Sequence, residues 1–187
     1  FIYPTVVQSN CIPIVLQGKD VLVRARTGSG KTFAFAIPIL HKLLTLKTNE
    51  NDSQPSIKVI ILVPTKELCK QIETHITSLM YYCRDNITIC SLSDDNINVQ
   101  TYHLNSKPDI VVSTPARLVN ALQSRAVNLS NVNTLVIDEA DLILSFGYTD
   151  DVQTILSHLP KIYQGLLISA TLSPELDKFK KVVLHNP

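Results

Sequence analysis

A single α/β domain, with a largely parallel sheet and helices on both faces, is the fold class that three features of the sequence predict. Short apolar runs rich in valine and isoleucine recur along the chain. Stretches with helical periodicity alternate with them, and parallel strands need such crossovers. The runs are continuously apolar, as expected of strands covered on both faces.

In chain order, strands are expected at Asp20 to Val23, Ile57 to Val63, Ile87 to Leu92, Asp109 to Val112, Thr134 to Ile137 and Gly165 to Ile168. Helices are expected over Lys31 to Leu46, Lys66 to Met80, Ala116 to Gln123, Val152 to Leu159 and Pro174 to Leu184. The polar stretch Lys47 to Ser56, with Asn49, Glu50, Asn51, Asp52 and Pro55, reads as a solvated surface loop. No internal repeat and no second domain is visible, so residues 1–187 read as one unit. In such a sheet, ligands bind outside the carboxyl ends of the strands, so function is expected just after each strand.

The 187 residues are 45% hydrophobic, 18% charged and 6% aromatic, and 17 basic against 16 acidic side chains leave a net charge of +1. This balance excludes a disordered chain and a histone-like polycation. A polyanion partner must be held by a local patch or by oriented backbone groups. The longest strongly apolar stretch is Val59 to Val63. A membrane span needs about 20 such residues, so no membrane partner is expected. Cys11, Cys69, Cys83 and Cys90 lack C-x-x-C spacing, and the histidines are scattered, which argues for a reducing compartment and no zinc site. The chain starts at Phe1 rather than methionine and has no signal-peptide architecture, so it reads as a fragment.

Directly after the first strand stand Ala25, Arg26, Thr27, Gly28, Ser29, Gly30, Lys31 and Thr32, and an apolar helix opens. This is a P-loop in its expected context, with Ala25 in place of the usual first glycine. Gly28 and Gly30 let the backbone turn its N–H groups inward, and the helix N-terminus adds partial positive charge for a phosphate chain. Lys31 is expected to reach the β- and γ-phosphates, and Thr32 to offer its hydroxyl to Mg²⁺. A magnesium nucleotide site also needs a carboxylate at the end of a neighbouring strand. Leu135, Val136 and Ile137 lead into Asp138, Glu139, Ala140 and Asp141. Asp138 is placed to hold Mg²⁺ partly through water, and Glu139 to orient or deprotonate the attacking water. The bland alternative is that Asp138 and Asp141 cap a helix.

With these motifs in place, the chain resembles the first RecA-like domain of DEAD-box RNA helicases over essentially its whole length. The resemblance implies a RecA-like P-loop fold and makes residues 1–187 the N-terminal ATP-binding domain, lacking the upstream part of the Q motif and the second RecA-like domain. Phe1, Pro4, Thr5 and Gln8 are similar to the tail of that Q motif. A glutamine amide offers a donor and an acceptor that complement adenine N6 and N7, so the implied nucleotide is ATP. Taken alone, Gln8 reads as a surface polar residue near a helix start.

Two further strands end in Thr65 and Thr114, each expected to be a helix N-cap, with Pro115 fitting the first helical position. Helix N-termini grip phosphates without reading bases. The resemblance assigns Pro64, Thr65, Lys66, Thr114, Pro115 and Arg117 to the RNA sugar-phosphate backbone. Three departures bear on that grip. Lys66 stands where arginine is usual, Ala116 replaces a common glycine, and Ser93, Asp94 and Asp95 stand where a glycine pair is usual. Carboxylates there would repel phosphate. Ser169, Ala170 and Thr171 match the motif that links ATP state to strand separation, and the resemblance has Ser169 and Thr171 hydrogen-bonding the Asp138 to Asp141 segment, with Asp141 the expected partner.

Finer similarity lies in Arg24-Ala25-Arg26-Thr27, Pro64-Thr65-Lys66-Glu67, Ser145-Phe146-Gly147-Tyr148, His158-Leu159-Pro160 with Ile162-Tyr163-Gln164, and His185-Asn186-Pro187. These look like the nucleolar DEAD-box subgroup associated with large ribosomal subunit assembly, which implies a nuclear, nucleolar location and pre-ribosomal protein partners. In the family, ATP and RNA bind between two RecA-like domains, and the arginine fingers come from the second. The isolated domain is therefore expected to bind nucleotide weakly, hydrolyse little and unwind nothing. Two other readings compete: an RNA-binding assembly platform whose nucleotide site locks a conformation, and a DNA motor on the same fold.

Overall fold

A computed structural model describes residues 3–48, 55–94 and 96–185, with Ile97 and Asn98 described by their backbone alone. Phe1, most of the expected loop (Asn49 to Asp52), Asp95, Asn186 and Pro187 lie outside the described residues.

The expected strands form one six-stranded parallel sheet: β1 (Val21–Arg24), β2 (Val59–Leu62), β3 (Ile89–Ser91), β4 (Ile110–Ser113), β5 (Thr134–Ile137) and β6 (Gln164–Ser169), in the order β1-β6-β5-β2-β4-β3. The α/β expectation holds. Successive side chains of β2, β4 and β5 are all buried but alternate between two cores. Ile60, Leu62, Val111, Leu135 and Ile137 pack on one face, and Val59, Ile61, Ile110, Val112 and Val136 on the other. That two-residue alternation, with helices on each side, is why the strand sequences lack polar positions.

The helices are α1 (Val6–Leu16), α2 (Lys31–Thr48), α3 (Lys66–Leu79), α4 (Ile97–Asn105), α5 (Pro115–Gln123), α6 (Ala140–Ser145), α7 (Thr149–Ser157) and α8 (Pro174–Val183). Three of these were not among the expected helices. α1 carries Pro13 in its interior and exposes Val6, Ile14 and Leu16, so its apolar residues do not line one face. α4 is mostly polar, and Leu104 is its one fully buried side chain among the described residues. α6 has only 6 residues, too few to show a period. Among the described residues, no helix is long and apolar enough to cross a membrane. All four cysteines are free thiols.

At the amino-terminal edge of the sheet, buried polar groups tie strands to helices. Asp109 accepts from Lys47 Nζ at 2.7 Å, Thr88 N at 2.8 Å and Thr88 Oγ1 at 3.0 Å. Asp20 accepts from the backbone N–H groups of Gly165 and His185 at 2.7 and 2.6 Å. The carboxyl-terminal edge is where the loops named from sequence come together.

Candidate functional site

The strand order sets which loops are neighbours. β6 lies between β1 and β5, so the phosphate loop, the Ser169-Ala170-Thr171 turn and the Asp138–Asp141 segment leave the sheet side by side. Ala25 N donates to Ser169 O at 3.1 Å, and Asp138 N to Leu62 O at 2.9 Å, which extends the ladder to the foot of each loop.

Gly28 and Gly30 adopt φ values of +80° and +85°, a region that side chains with a Cβ rarely enter. A Cβ on Gly30 would lie 2.6 Å from Gln8 Nε2 and 3.2 Å from Thr5 Oγ1. Glycine there serves the turn and lets the start of α1 pack on the loop. Thr5 and Gln8 form a reciprocal capping box. The Thr5 N–H donates to Gln8 Oε1 at 2.9 Å, and the Gln8 N–H donates to Thr5 Oγ1 at 3.3 Å. Gln8 Nε2 also donates to Gly30 O at 3.3 Å. Gln8 is only 8% exposed, so the reading of it as a surface polar residue is corrected. The signal was legible in the Thr-x-x-Gln spacing.

Lys31 opens α2, and its ammonium, drawn into the loop, donates to Ala25 O at 3.0 Å. Asp138 is 6% exposed at the end of β5. Burial pushes its carboxyl up to about 6, against the pull of the Lys31 charge and of the Glu139 N–H, which donates to Asp138 Oδ1 at 2.9 Å. The Lys31 charge, 107 positions away by numbering, is the strongest influence favouring the Asp138 carboxylate against burial, and the loops that carry the two residues leave β1 and β5 on either side of β6. Glu139 holds a left-handed backbone, φ +52°, at the N-cap of α6. For a residue with a Cβ that conformation carries strain, and strain of this kind gathers at functional turns.

Thr171 Oγ1 donates to Asp141 Oδ2 at 3.0 Å. The Ser169 hydroxyl instead donates to Thr171 O at 2.8 Å, and the Thr171 N–H donates back to it at 3.3 Å. The expectation that both hydroxyls reach the acidic segment is corrected for Ser169. Ser169 is fully buried at the strand end, and its hydroxyl, engaged with the Thr171 backbone, shapes the turn that presents Thr171.

Further along the same edge, β2 and β4 are neighbours and feed α3 and α5. Thr65 caps α3, accepting from Leu68 N at 3.3 Å. Thr114 occupies the N-cap position of α5, and Pro115 is its first residue, but the Thr114 side chain makes no capping hydrogen bond. The expected N-cap position is therefore observed, without the side-chain hydrogen bond, and Thr114 is buried. Lys66 and Pro115 stand at the heads of their helices, and Pro64 just before α3. Arg117 is placed differently from the others, with its guanidinium turned toward the loop after β3, donating to Leu92 O at 3.0 Å and to Asp94 O.

No group of three His, Cys, Asp or Glu side chains among the described residues is placed to hold a metal. A cation at Asp138 therefore needs oxygen ligands from elsewhere, which is how Mg²⁺ is usually shared with phosphates. Asp138 fits that role as a buried carboxylate at a strand end whose charge Lys31, the residue before Thr32 at the head of α2, favours.

The profile of the DEAD/DEAH box helicases matches residues 5–179. The chain belongs to that family. Over 186 residues it is 46% identical to a Dictyostelium discoideum protein named probable ATP-dependent RNA helicase ddx56, covering 98% of this chain and 27% of that one. It is 43% identical to the ATP-dependent RNA helicase DBP9 of Cryptococcus neoformans, covering 100% of this chain and 31% of that one. The chain thus spans less than a third of the curated relatives it matches. Among solved structures, it is similar to a hypothetical ATP-dependent RNA helicase from Sulfolobus tokodaii, with a TM-score of 0.87, 35% identity, all of this chain and 52% of that chain covered. It is also similar to a yeast DEAD-box splicing factor, with a TM-score of 0.89, 30% identity, and 99% and 44% of the two chains covered. For this DEAD-box chain, the RecA-like fold expected from sequence is therefore established.

Proposed function

We propose that this domain is the ATP-binding half of an ATP-dependent RNA helicase, and that its carboxyl-terminal sheet edge binds MgATP at one end and an RNA backbone at the other. The observation that carries the reading is the exit of the phosphate loop and the Asp138–Asp141 segment from β1 and β5, on either side of β6, with the Lys31 charge favouring the buried Asp138 carboxylate. The backbone N–H groups from Arg26 through Thr32, with Thr27, Gly28, Ser29 and Gly30 between them, cradle the phosphates. Lys31 exchanges Ala25 O for phosphate oxygens. Thr32 and Asp138 would hold Mg²⁺, which neutralises charge on the β- and γ-phosphates when bound. Glu139 orients the attacking water and takes its proton.

Gln8 selects adenine. An amide has two N–H bonds and two lone-pair positions, so its contacts to Gly30 and Thr5 leave capacity for the base edge. The Thr171–Asp141 hydrogen bond couples the state of the nucleotide cleft to the β6 turn. RNA lies across the heads of α3 and α5, held by Pro64, Thr65, Lys66, Thr114 and Pro115 through its backbone.

A second RecA-like domain of the same protein supplies the rest of the cleft and its arginine finger. A missing finger costs roughly a thousand- to a hundred-thousand-fold in rate, so residues 1–187 alone bind nucleotide but barely turn it over. The names of the relatives, ddx56 and DBP9, support a ribosome-biogenesis role, with a nucleolar location and pre-ribosomal proteins as partners. A Glu139→Gln change in the full-length protein tests the reading: a helicase stalls as a closed ATP–RNA complex, whereas a protein that keeps its cellular activity with this change is an assembly platform. Competition between matched RNA and DNA strands at fixed salt separates either from a DNA motor.

A further inference from the structure

The loop after β3 carries Asp94 where RNA would pass, and the geometry explains how an acidic side chain is tolerated there. β3 and β4 are paired in register, Ser91 opposite Val112, and Leu92 N donates to Val112 O at 2.8 Å. The loops after the two strands therefore leave the sheet side by side. Arg117, in the first turn of α5, spends its Nη1 on the carbonyls of Leu92 and Asp94. Gln100 Nε2, on α4, donates to the same Asp94 carbonyl. Asp94 is exposed, and its Oδ1 accepts from Asn96 N at 3.0 Å at the head of α4. There the negative charge faces a helix N-terminus, where it is favourable.

We propose that Arg117 is a positioning residue for RNA: with Gln100 it clasps the loop after β3 so that the Asp94 carboxylate is held on the α4 N-terminus and away from the bound phosphates. The proposal rests on the reading of this edge as the RNA site, and it replaces the expectation that Arg117 is itself a phosphate contact. A guanidinium satisfied by carbonyl oxygens is held by its planar donors in one orientation. α4 anchors the other jaw weakly, since Leu104 is its one fully buried side chain among the described residues. The clasp therefore depends on both donors. Loss of either releases the loop and lets Asp94 swing toward the phosphates.

The test is single-stranded RNA binding by the full-length protein in the presence of a non-hydrolysable ATP analogue, measured over a series of salt concentrations. Wild type is compared with Arg117→Ala, Gln100→Ala, Asp94→Asn and the double variant Arg117→Ala/Asp94→Asn. Arg117→Ala is expected to weaken RNA at least fivefold without lowering the salt slope, and Asp94→Asn in the same chain to restore affinity to within twofold. Gln100→Ala, which removes no charge, is expected to weaken RNA in the same direction. The KM for RNA rises in both single variants while the KM for ATP is unchanged, an outcome that simple loss of folded protein does not give. A salt slope reduced by about 0.7, the signature of one lost phosphate contact on a single strand, with no rescue by Asp94→Asn, overturns the clasp and makes Arg117 a direct ligand. Absence of RNA binding by the wild type overturns the RNA reading of this edge itself.

Discussion

Gln8 Nε2 donates to the carbonyl of Gly30 at 3.3 Å, fastening the first turn of α1 to the phosphate loop 22 residues further along the chain. The contact ties the residue proposed to select adenine to the proposed phosphate cradle. The expected consequence is that Gln8→Ala weakens ATP and ADP alike. It also lowers thermal stability, because the capping box goes with it at a cost of about 1 kcal/mol. Differential scanning fluorimetry with and without nucleotide reads both effects.

Gly30→Ala combines a left-handed φ of +85° with a Cβ 2.6 Å from Gln8 Nε2. It is expected to cost more than the roughly 1–2 kcal/mol of the backbone alone. Gly28→Ala has a similar φ, +80°, and no heavy atom within 4 Å of the added Cβ, so it pays only the backbone cost. Chemical denaturation of the two variants should rank Gly30→Ala as the more destabilised.

The Thr171 hydroxyl, in the turn after β6, and the Asp141 carboxylate, in the first turn of α6, are 3.0 Å apart. Thr171→Val keeps the shape and removes the donor. In the full-length protein it is expected to leave ATP hydrolysis within a few-fold of wild type while strand separation falls by more. A double cycle with Asp141→Ala should be non-additive. Equal losses of the two activities would assign Thr171 to the chemistry rather than the coupling.

Asp138 titrates near 6, above its ordinary value near 3.8, chiefly because it is buried. The folded state therefore binds this proton more tightly than the unfolded chain. The resulting stabilisation is complete below the unfolded value and is lost as pH rises through about 6. Without nucleotide, the melting temperature of wild type is expected to fall relative to Asp138→Asn between about pH 4 and pH 6. MgATP affinity should weaken below pH 6, where the proton competes with the cation. Melting curves and nucleotide titrations over this range check the two signs.

Asp109 stands at the opposite edge of the sheet, accepting from Lys47 and from both polar groups of Thr88. Asp109→Ala removes the buried acceptor of the Thr88 N–H and hydroxyl, while the exposed Lys47 ammonium turns to solvent. It is expected to cost on the order of 1–2 kcal/mol of stability with nucleotide affinity unchanged. Urea unfolding and a nucleotide titration of the same sample distinguish this from a change at the site.

The strands and the phosphate loop were legible because their signals are local: runs such as Val59 to Val63 have one stable use, and Gly28-Ser29-Gly30-Lys31-Thr32 after a strand has few. α1 and α4 were not. α1 is held by the Thr5–Gln8 box and by packing on α2 rather than by an amphipathic stripe, and α4 is a largely polar helix with a single buried anchor among the described residues. The inward turn of Arg117 was illegible for another reason. A motif gives the type of side chain and the place of its backbone, but the carbonyls that capture it come from Leu92 and Asp94, in the loop after the preceding strand β3. Similarly, Ser169 and Thr171 look equivalent in sequence, and only the depth of each at the end of β6 decides which can reach Asp141.

The claim on which the rest depends is that Lys31 and Asp138 serve one triphosphate and its metal. Calorimetric titration of MgATP into the full-length protein, its Lys31→Ala and Asp138→Ala variants and the double variant measures this directly. The account predicts that each single change weakens binding at least tenfold and that the double change costs clearly less than the sum of the two. Wild-type affinity in either single variant, or strictly additive losses, would contradict it.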